Sequence, residues 1–324
     1  MKLAIVVPCY NEQEVLHETA ACLCTLLDKL ILSGEITNDS FILFVNDGSQ
    51  DGTWNIINEL NHSTKYVAGL NLARNAGHQN ALMAGLMIAG KQSDAIVSID
   101  ADLQDDVAAI EIMVSEYNKG YDIVYGVRKR RDMDSFFKRN TALFFYKMMR
   151  SMGVDLIFNH ADFRLISQRV IAQLASYKER NLFLRGVIPL IGYKHSTVCY
   201  DRKERFAGES KYPFGKMLNF AIDGITSFSV RPIRMITSLG ILLFFVSLVA
   251  FIYVISSLIK GDAVPGWASL MISVWFFGSI ILICIGIIGE YIGKIYMEVK
   301  ERPRYNISEE LKPQNKNKAE DEIS

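Results

Sequence analysis

The chain has 324 residues, and its 35 lysines and arginines are matched by 35 aspartates and glutamates. A net charge of zero removes the basic footprint that nucleic-acid binding needs, so no nucleic-acid partner is expected. Five cysteines at irregular positions fit a reducing compartment rather than a disulfide framework. Cys22 and Cys24, two apart in a helical pattern, point to different faces and do not suggest zinc.

From the N-terminus, short β-rich runs alternate with longer helical patterns. Strands are predicted over residues 3–7, 41–45, 66–72, 95–100 and 122–126. Helices are predicted from Glu12 to about Leu32, from Asp51, from about Gln79 and from about Val107. This alternation implies βαβ units and a parallel sheet with helices on both faces. Ligands of such sheets bind beyond the carboxyl ends of the strands. There the sequence has Pro8, Tyr10, Asn11 and Glu12 after the first strand and Asn46, Asp47, Gly48 and Ser49 after the second. Arg74, Asn75, Gly77 and His78 follow the third, and Asp100, Asp102, Gln104 and Asp105 the fourth. Ordinary turn and cap chemistry accounts for any one of these loops. Four polar loops on one rim point to a binding site.

The fourth loop, "SIDADLQDD", carries aspartates at 100, 102, 105 and 106. Carboxylates this close repel and raise one another's pKa unless a cation or solvent lies among them. Asp100 and Asp102, two apart where the chain leaves the sheet, can reach one cation, whereas Asp105 and Asp106 are expected to open the next helix. Hard carboxylate oxygens suit Mg²⁺ or Mn²⁺, and Mg²⁺ is commonly held by one or two carboxylates together with substrate phosphates. No Walker-type loop and no G-x-G-x-x-G after the first strand is present, which argues against a P-loop or dinucleotide enzyme. His78 and His160 are read as structural hydrogen-bonding residues rather than metal ligands.

The second half has a different character. A basic run, "RKRR" at 128–131, is either a solvated charge run, a lipid-headgroup contact or a phosphate contact. Residues 213–234 place Phe214, Met217, Leu218, Ala221, Ile222, Ile225 and Phe228 at helical spacing, which fits a core-packed helix or one lying in a membrane interface. Residues 236–259 and 263–289 contain no charged side chain, and each run exceeds the ~20 residues needed to cross a bilayer. A transmembrane hairpin is expected within 235–295, with spans at about 236–259 and 265–289. Arg231 and Arg234 before it, and Lys294, Lys300, Arg302 and Arg304 near or beyond its end, place both flanks in the cytoplasm. The first residues lack a signal-anchor pattern, so a cytosolic domain over 1–212 is expected. The tail over 296–324 is expected in the cytosol and partly disordered, from Pro313 onward.

"VVPCYNE", "VNDGSQDGT", "LARNAGHQNALMAG" and "IDADLQD" together resemble the nucleotide-diphospho-sugar glycosyltransferases of family 2. "ADFRL", "AGESKY", "SVRPIR" and "GEYIGKIY" narrow the resemblance to the polyprenyl-phosphate glycosyltransferases, and it covers nearly all of residues 1–305. It implies a Rossmann-like GT-A type α/β domain followed by an amphipathic interface helix and a two-helix hairpin in the cell membrane. It also implies a nucleoside pocket of Pro8, Tyr10, Asn11, Glu12 and Asp47, and a metal and diphosphate site of Asp100, Asp102 and Gln104. Asp162 is implied to face the acceptor or sugar, with Arg164 beside it; Arg128, Arg131, Arg202, Arg205 and Lys211 are implied to meet phosphates, with Arg131, Arg164, Arg205 and Lys211 at that of the acceptor. Of these, Asp162, Asp102, Arg128 and Arg202 are the expected catalytic residues. Many relatives continue the metal motif with two prolines where this chain has Asp106 and Val107.

The implied reaction is an inverting transfer from a UDP-sugar, most simply UDP-glucose, to a polyprenyl phosphate such as undecaprenyl phosphate. UDP-N-acetylglucosamine or another nucleotide sugar is the alternative donor, and a homo-oligomer packed through its membrane helices is expected. A processive polysaccharide synthase would be expected to show a Q-x-x-R-W motif and more spans, neither of which occurs here. A non-catalytic nucleotide-sugar sensor would have no need of the intact acidic residues.

Overall fold

The computed structural model describes residues 1–128, 160–179, 184–201, 231–259 and 266–314. Strands β1 (Leu3–Cys9), β2 (Phe41–Asn46), β3 (Val67–Leu72) and β4 (Ala95–Ser98) lie in the order β4-β1-β2-β3, all parallel. Every residue of β1, β2 and β4 is buried, as strands covered on both faces require. The covering helices are α1 (Leu16–Leu32), α2 (Thr53–Ser63), α3 (His78–Ala89) and α4 (Ala109–Asn118). A Cβ on Gly85 of α3 would come within 2.4 Å of Val6 Cγ1, so α3 sits almost directly on β1.

The sheet is mixed beyond β4, which the simple alternation of strands and helices did not anticipate. β5 (Ile123–Arg128) does not pair with β4. Between them lies β6 (His160–Ser167), antiparallel to both, and β7 (His195–Tyr200) adds parallel to β5. Two short helices, α5 (Gln168–Leu174) and α6 (Leu184–Leu190), connect β6 to β7 across the described residues. The β4/β6 register pairs Ser98 with Arg164, so two further residues along it Asp162 comes level with Asp100. Insertion of β6 therefore brings the "ADFRL" motif alongside the acidic loop.

The other edge is closed by β8 (Ile307–Leu311), antiparallel to β3. Asn61 Nδ2 donates to the Val67 carbonyl at 2.7 Å and the Lys312 carbonyl at 2.9 Å, holding the strand in place. Thus the stretch expected as a partly disordered tail contains a sheet strand. Helices α7 (Arg231–Ile259) and α8 (Trp267–Val299) belong to a second compact unit. They have 29 and 33 residues, about 44 Å and 50 Å at the α-helical rise. Among the described residues, the stretch apolar and long enough to cross a bilayer is Phe276–Val299, with mean hydropathy 2.0 and none of it buried. α7 contributes a shorter apolar stretch, Pro232–Leu243.

One glycine is demanded by the rim. Gly48 has φ +62°, and a Cβ there would lie 2.5 Å from both the Arg74 carbonyl carbon and the Asn75 nitrogen. Gly48→Ala is expected to lower stability by about 1–3 kcal/mol, through backbone strain and displacement of the β3–α3 loop. Thermal denaturation checks this, and an unshifted melting temperature would contradict it.

Candidate active site

β2 and β3 follow on one side of β1, and β4 lies on the other, so the strand order reverses between β1 and β4. The crevice at their carboxyl ends is the position where open α/β sheets take ligands. The loops after β1 and β4 flank it.

On the β1 side, Pro8 is buried within the strand and Tyr10 is exposed at the rim. Asn11 has φ +54°, a left-handed conformation that asparagine tolerates. Its Oδ1 accepts from the Gln50 N–H at 2.9 Å and its own N–H donates to Ser49 Oγ at 3.0 Å. The Glu12 N–H donates to Thr53 Oγ1 at 3.0 Å. The loops after β1 and β2 are thereby tied together. Asp47, expected in the nucleoside pocket, follows the end of β2. It is buried, and its two carboxylate oxygens accept from the Ala76 and Gly77 N–H groups at 2.6 and 3.0 Å. Desolvation raises its pKa, with those two N–H groups opposing. Here Asp47 clamps the β3–α3 loop to the end of β2.

On the β4 side, Leu103 takes φ +53° and the Gln104 N–H donates to Asp102 Oδ1 at 3.2 Å, closing a tight acidic turn. Gln104 itself is largely buried. The Asp100 side chain is 42% exposed. Partial desolvation raises its pKa to about 6, with Asp162, Asp105 and Asp102 adding to the effect and His78 opposing it. Excess negative charge on hard oxygen donors fits a divalent cation. Among the described residues no three His, Cys, Asp or Glu side chains are grouped to hold a metal alone.

Asp105 is not a helix cap. It is buried, and its Oδ1 accepts from Tyr200 Oη at 2.5 Å and from Arg128 Nη2 at 3.2 Å. Arg128 Nε also donates to Tyr200 Oη at 3.3 Å, so β5, β7 and the acidic loop meet at one guanidinium. α4 begins at Ala109 because the turn before it is closed by Asp106, whose carbonyl accepts from the Ala109 N–H at 2.9 Å.

Asp162 is the hub of the remaining contacts. Arg164 Nη2 donates to its Oδ1 at 2.5 Å, and Arg185 donates to both oxygens, from Nε at 3.2 Å and Nη2 at 3.0 Å. Gln79 Nε2 approaches at 3.5 Å. His78 Nε2 lies 3.7 Å from Asp162 and 3.8 Å from Asp100, linking the two carboxylates. Burial alone would raise the Asp162 carboxyl, but Arg185, His78 and Arg164 outweigh it and hold it well below the usual carboxylate range. Desolvation disfavours the His78 cation, yet Asp162 and Asp100 raise its pKa overall.

Arg164 does not stand where a phosphate can meet it. Its side chain is 0% exposed, and Nε and Nη1 have no hydrogen-bond partner. The expectation of a surface phosphate contact at Arg164 is therefore corrected. Alternation along β6 puts it on the same face as Asp162, two residues deeper into the sheet. Arg131, Arg202, Arg205, Lys211 and the amphipathic segment before Arg231 lie outside the described residues. Arg185, Gln79 and Tyr200 had drawn no role from the sequence, since they sit far along the chain from the motifs they touch.

A separate open cavity of about 480 Å³ lies at the amino-terminal ends of the strands, lined in part by Asp94, Tyr117, Asp122 and Arg169. Asp122 is paired with Arg169 and Ser167, and Asp94 with the Lys2 N–H. It lies away from the loops that carry the acidic residues.

Residues 4–175 match the model of glycosyl transferase family 2, and residues 231–295 match that of the GtrB C-terminal hairpin. The chain is 55% identical to the "uncharacterized glycosyltransferase YkoT" of Bacillus subtilis (strain 168), over 95% of its own length and 92% of that protein. It is 40% identical to a second B. subtilis protein, "uncharacterized glycosyltransferase YkcC", over 98% and 96% of the two chains. It is also 40% identical to the SfII prophage-derived bactoprenol glucosyl transferase of Shigella flexneri, over 95% and 97%. With a family match across the whole parallel core and relatives alike over nearly their full length, the chain belongs to glycosyltransferase family 2 and is a glycosyltransferase with a GtrB-type C-terminal hairpin.

Proposed function

We propose that the protein transfers a hexose from a nucleotide diphosphate donor, UDP-glucose first, to a membrane polyprenyl phosphate such as undecaprenyl phosphate. The observation that carries the reading is the meeting of two carboxylate sites at one crevice: Asp100 with Asp102 on one side, and Asp162 held by arginines on the other. The likeness to a bactoprenol glucosyl transferase supports the acceptor class.

The chemistry follows from charge. A lipid monophosphate has a second pKa near ~6, so at neutral pH it is a largely ionised nucleophile and needs little help from a base. The depressed pKa of Asp162 agrees, because a carboxylate so firmly held is a poor proton acceptor. What the reaction requires is relief of repulsion between two phosphates and stabilisation of the departing nucleoside diphosphate. Asp100 and Asp102, beside Gln104, would hold Mg²⁺ or Mn²⁺, which when bound supplies charge neutralisation to the diphosphate. Arg128, braced by Asp105 and Tyr200, is positioned to meet a phosphate oxygen, and Arg202 is assigned the same task from the sequence. Pro8, Tyr10, Asn11, Glu12 and Asp47 are assigned the nucleoside side. In-line attack at the anomeric carbon inverts it, giving a β-linked product from an α-linked donor.

In this reading residues 1–212 form the catalytic domain, 213–234 an interface segment, and 235–295 two spans, in a homo-oligomer at the plasma membrane. The return of the chain to the catalytic sheet as β8 after α8 supports placing both flanks of the hairpin on the cytoplasmic side. Donor identity is tested by offering purified protein labelled UDP- and GDP-sugars with undecaprenyl phosphate. Label is expected in the lipid phase from UDP-glucose above all. Preferential use of UDP-N-acetylglucosamine would replace the donor and leave the reaction class in place.

A further inference from the structure

The crevice has two kinds of carboxylate site. Asp100 and Asp102 stand on the β4 loop. Across one imidazole, that of His78, Asp162 is paired among the described residues with two arginines, Arg164 and Arg185. A cation with its diphosphate belongs with the first. A second anionic group belongs beside the arginines.

Of the two arginines there, Arg164 is fully buried, whereas Arg185 is 32% exposed. Among the described residues, Arg185 is the arginine that both grips Asp162 and is open to an approaching ligand. Its aim is fixed from two directions. Asp162 engages it through Nε and Nη2, and Gln79 accepts from the Leu184 N–H at 3.2 Å, tying the start of α6 to the start of α3. An arginine so constrained loses little further freedom when it binds a phosphate, and its planar fork suits that partner.

We propose that Arg185 is the residue that receives the acceptor phosphate, and that Asp162 is the positioning residue that aims it. The inference rests on the reading above and assigns the phosphate contact that buried Arg164 cannot make. The test compares Arg185→Gln and Arg185→Lys with wild type, measuring KM for polyprenyl phosphate and for the donor separately, together with UDP affinity. Arg185→Gln is expected to raise the acceptor KM at least about tenfold, the loss of a charged hydrogen bond, with donor KM and UDP affinity within about twofold. Arg185→Lys should recover part of the loss. An unchanged acceptor KM, or a rise confined to the donor, would overturn the assignment.

A second measurement needs no variant. Phenylglyoxal modification of the wild-type protein, followed residue by residue by mass spectrometry, should show Arg185 protected by polyprenyl phosphate but not by the neutral polyprenol. Equal modification with and without the phosphate would overturn the proposal even if Arg185→Gln fails to fold. A wild-type protein that transfers no sugar to polyprenyl phosphate would instead overturn the functional reading itself, and that result is visible before any variant is made.

Discussion

Asp102→Asn is expected to reduce sugar transfer by about 100-fold or more while leaving the fold intact. Removing one charge from a site that neutralises a leaving group costs on that order. The turn itself should survive, because the amide oxygen of asparagine can still accept from the Gln104 N–H as Asp102 Oδ1 does. Circular dichroism and melting temperature should match wild type, and Mn²⁺ binding, followed by paramagnetic relaxation of water, should weaken in parallel with turnover. Wild-type turnover in this variant would remove Asp102 from the chemistry.

Asp162→Ala is expected to fail differently, in stability as well as activity. The substitution leaves Arg164 wholly buried with no carboxylate beside it, and breaking a buried pair by removing one partner costs roughly 3–5 kcal/mol. The pH dependence has a definite sign. The Asp162 pKa is depressed in the folded protein, so its contribution is complete above the unfolded value near ~3.9 and is lost as pH falls through the lower folded value. The carboxylate of Asp162 itself therefore contributes constantly from pH 5 to pH 8 and loses its contribution only in stronger acid, so any change of the gap within that window reports His78 and Asp100, whose pKa values Asp162 also raises. Carboxyl-carbon NMR of Asp162 in the wild type checks this, and a titration of that carboxyl between pH 5 and pH 8 would show that it is not held by its arginines.

Much of this architecture is legible in local sequence. Strands β1 to β4 announce themselves as short apolar runs, each followed by a polar loop, and parallel pairing with helical crossovers is the arrangement such a pattern permits. The acidic turn is equally visible, because four aspartates after a buried strand require an explanation. Pairing between distant segments is harder to see. β6 lies more than sixty residues beyond β4, and no signal in "ADFRL" says that it inserts antiparallel between β4 and β5. β8 is short, has two glutamates and follows a long apolar helix, so its composition reads as solvent-exposed chain. The same limit governs the site. Asp105 resembles a capping residue until β5 and β7 bring Arg128 and Tyr200 to it. Arg164 resembles a phosphate ligand until its place two residues deeper in the sheet than Asp162 buries it, and Arg185 acquires meaning only when α6 meets Asp162.

The arrangement also explains why the two acidic motifs do different work. Asp100 is partly desolvated and has carboxylate neighbours, and desolvation above all raises its pKa to about 6. Asp162, level with it in the sheet, has arginine neighbours and stays ionised. Two neighbouring carboxylates, one on the loop after β4 and one on β6, are thus set apart by their surroundings; in the proposed reading one shares a cation and the other steers a guanidinium.

The most direct test of the account is to incubate the purified full-length protein with undecaprenyl phosphate, a labelled UDP-hexose and Mg²⁺ or Mn²⁺, then extract the lipid and determine the anomeric configuration of the product. The account predicts label in the lipid phase as a β-linked polyprenyl-phosphate hexose, dependent on the divalent cation and absent with polyprenol. No transfer from any nucleotide sugar to the lipid, or a product that retains the donor's configuration, would contradict it.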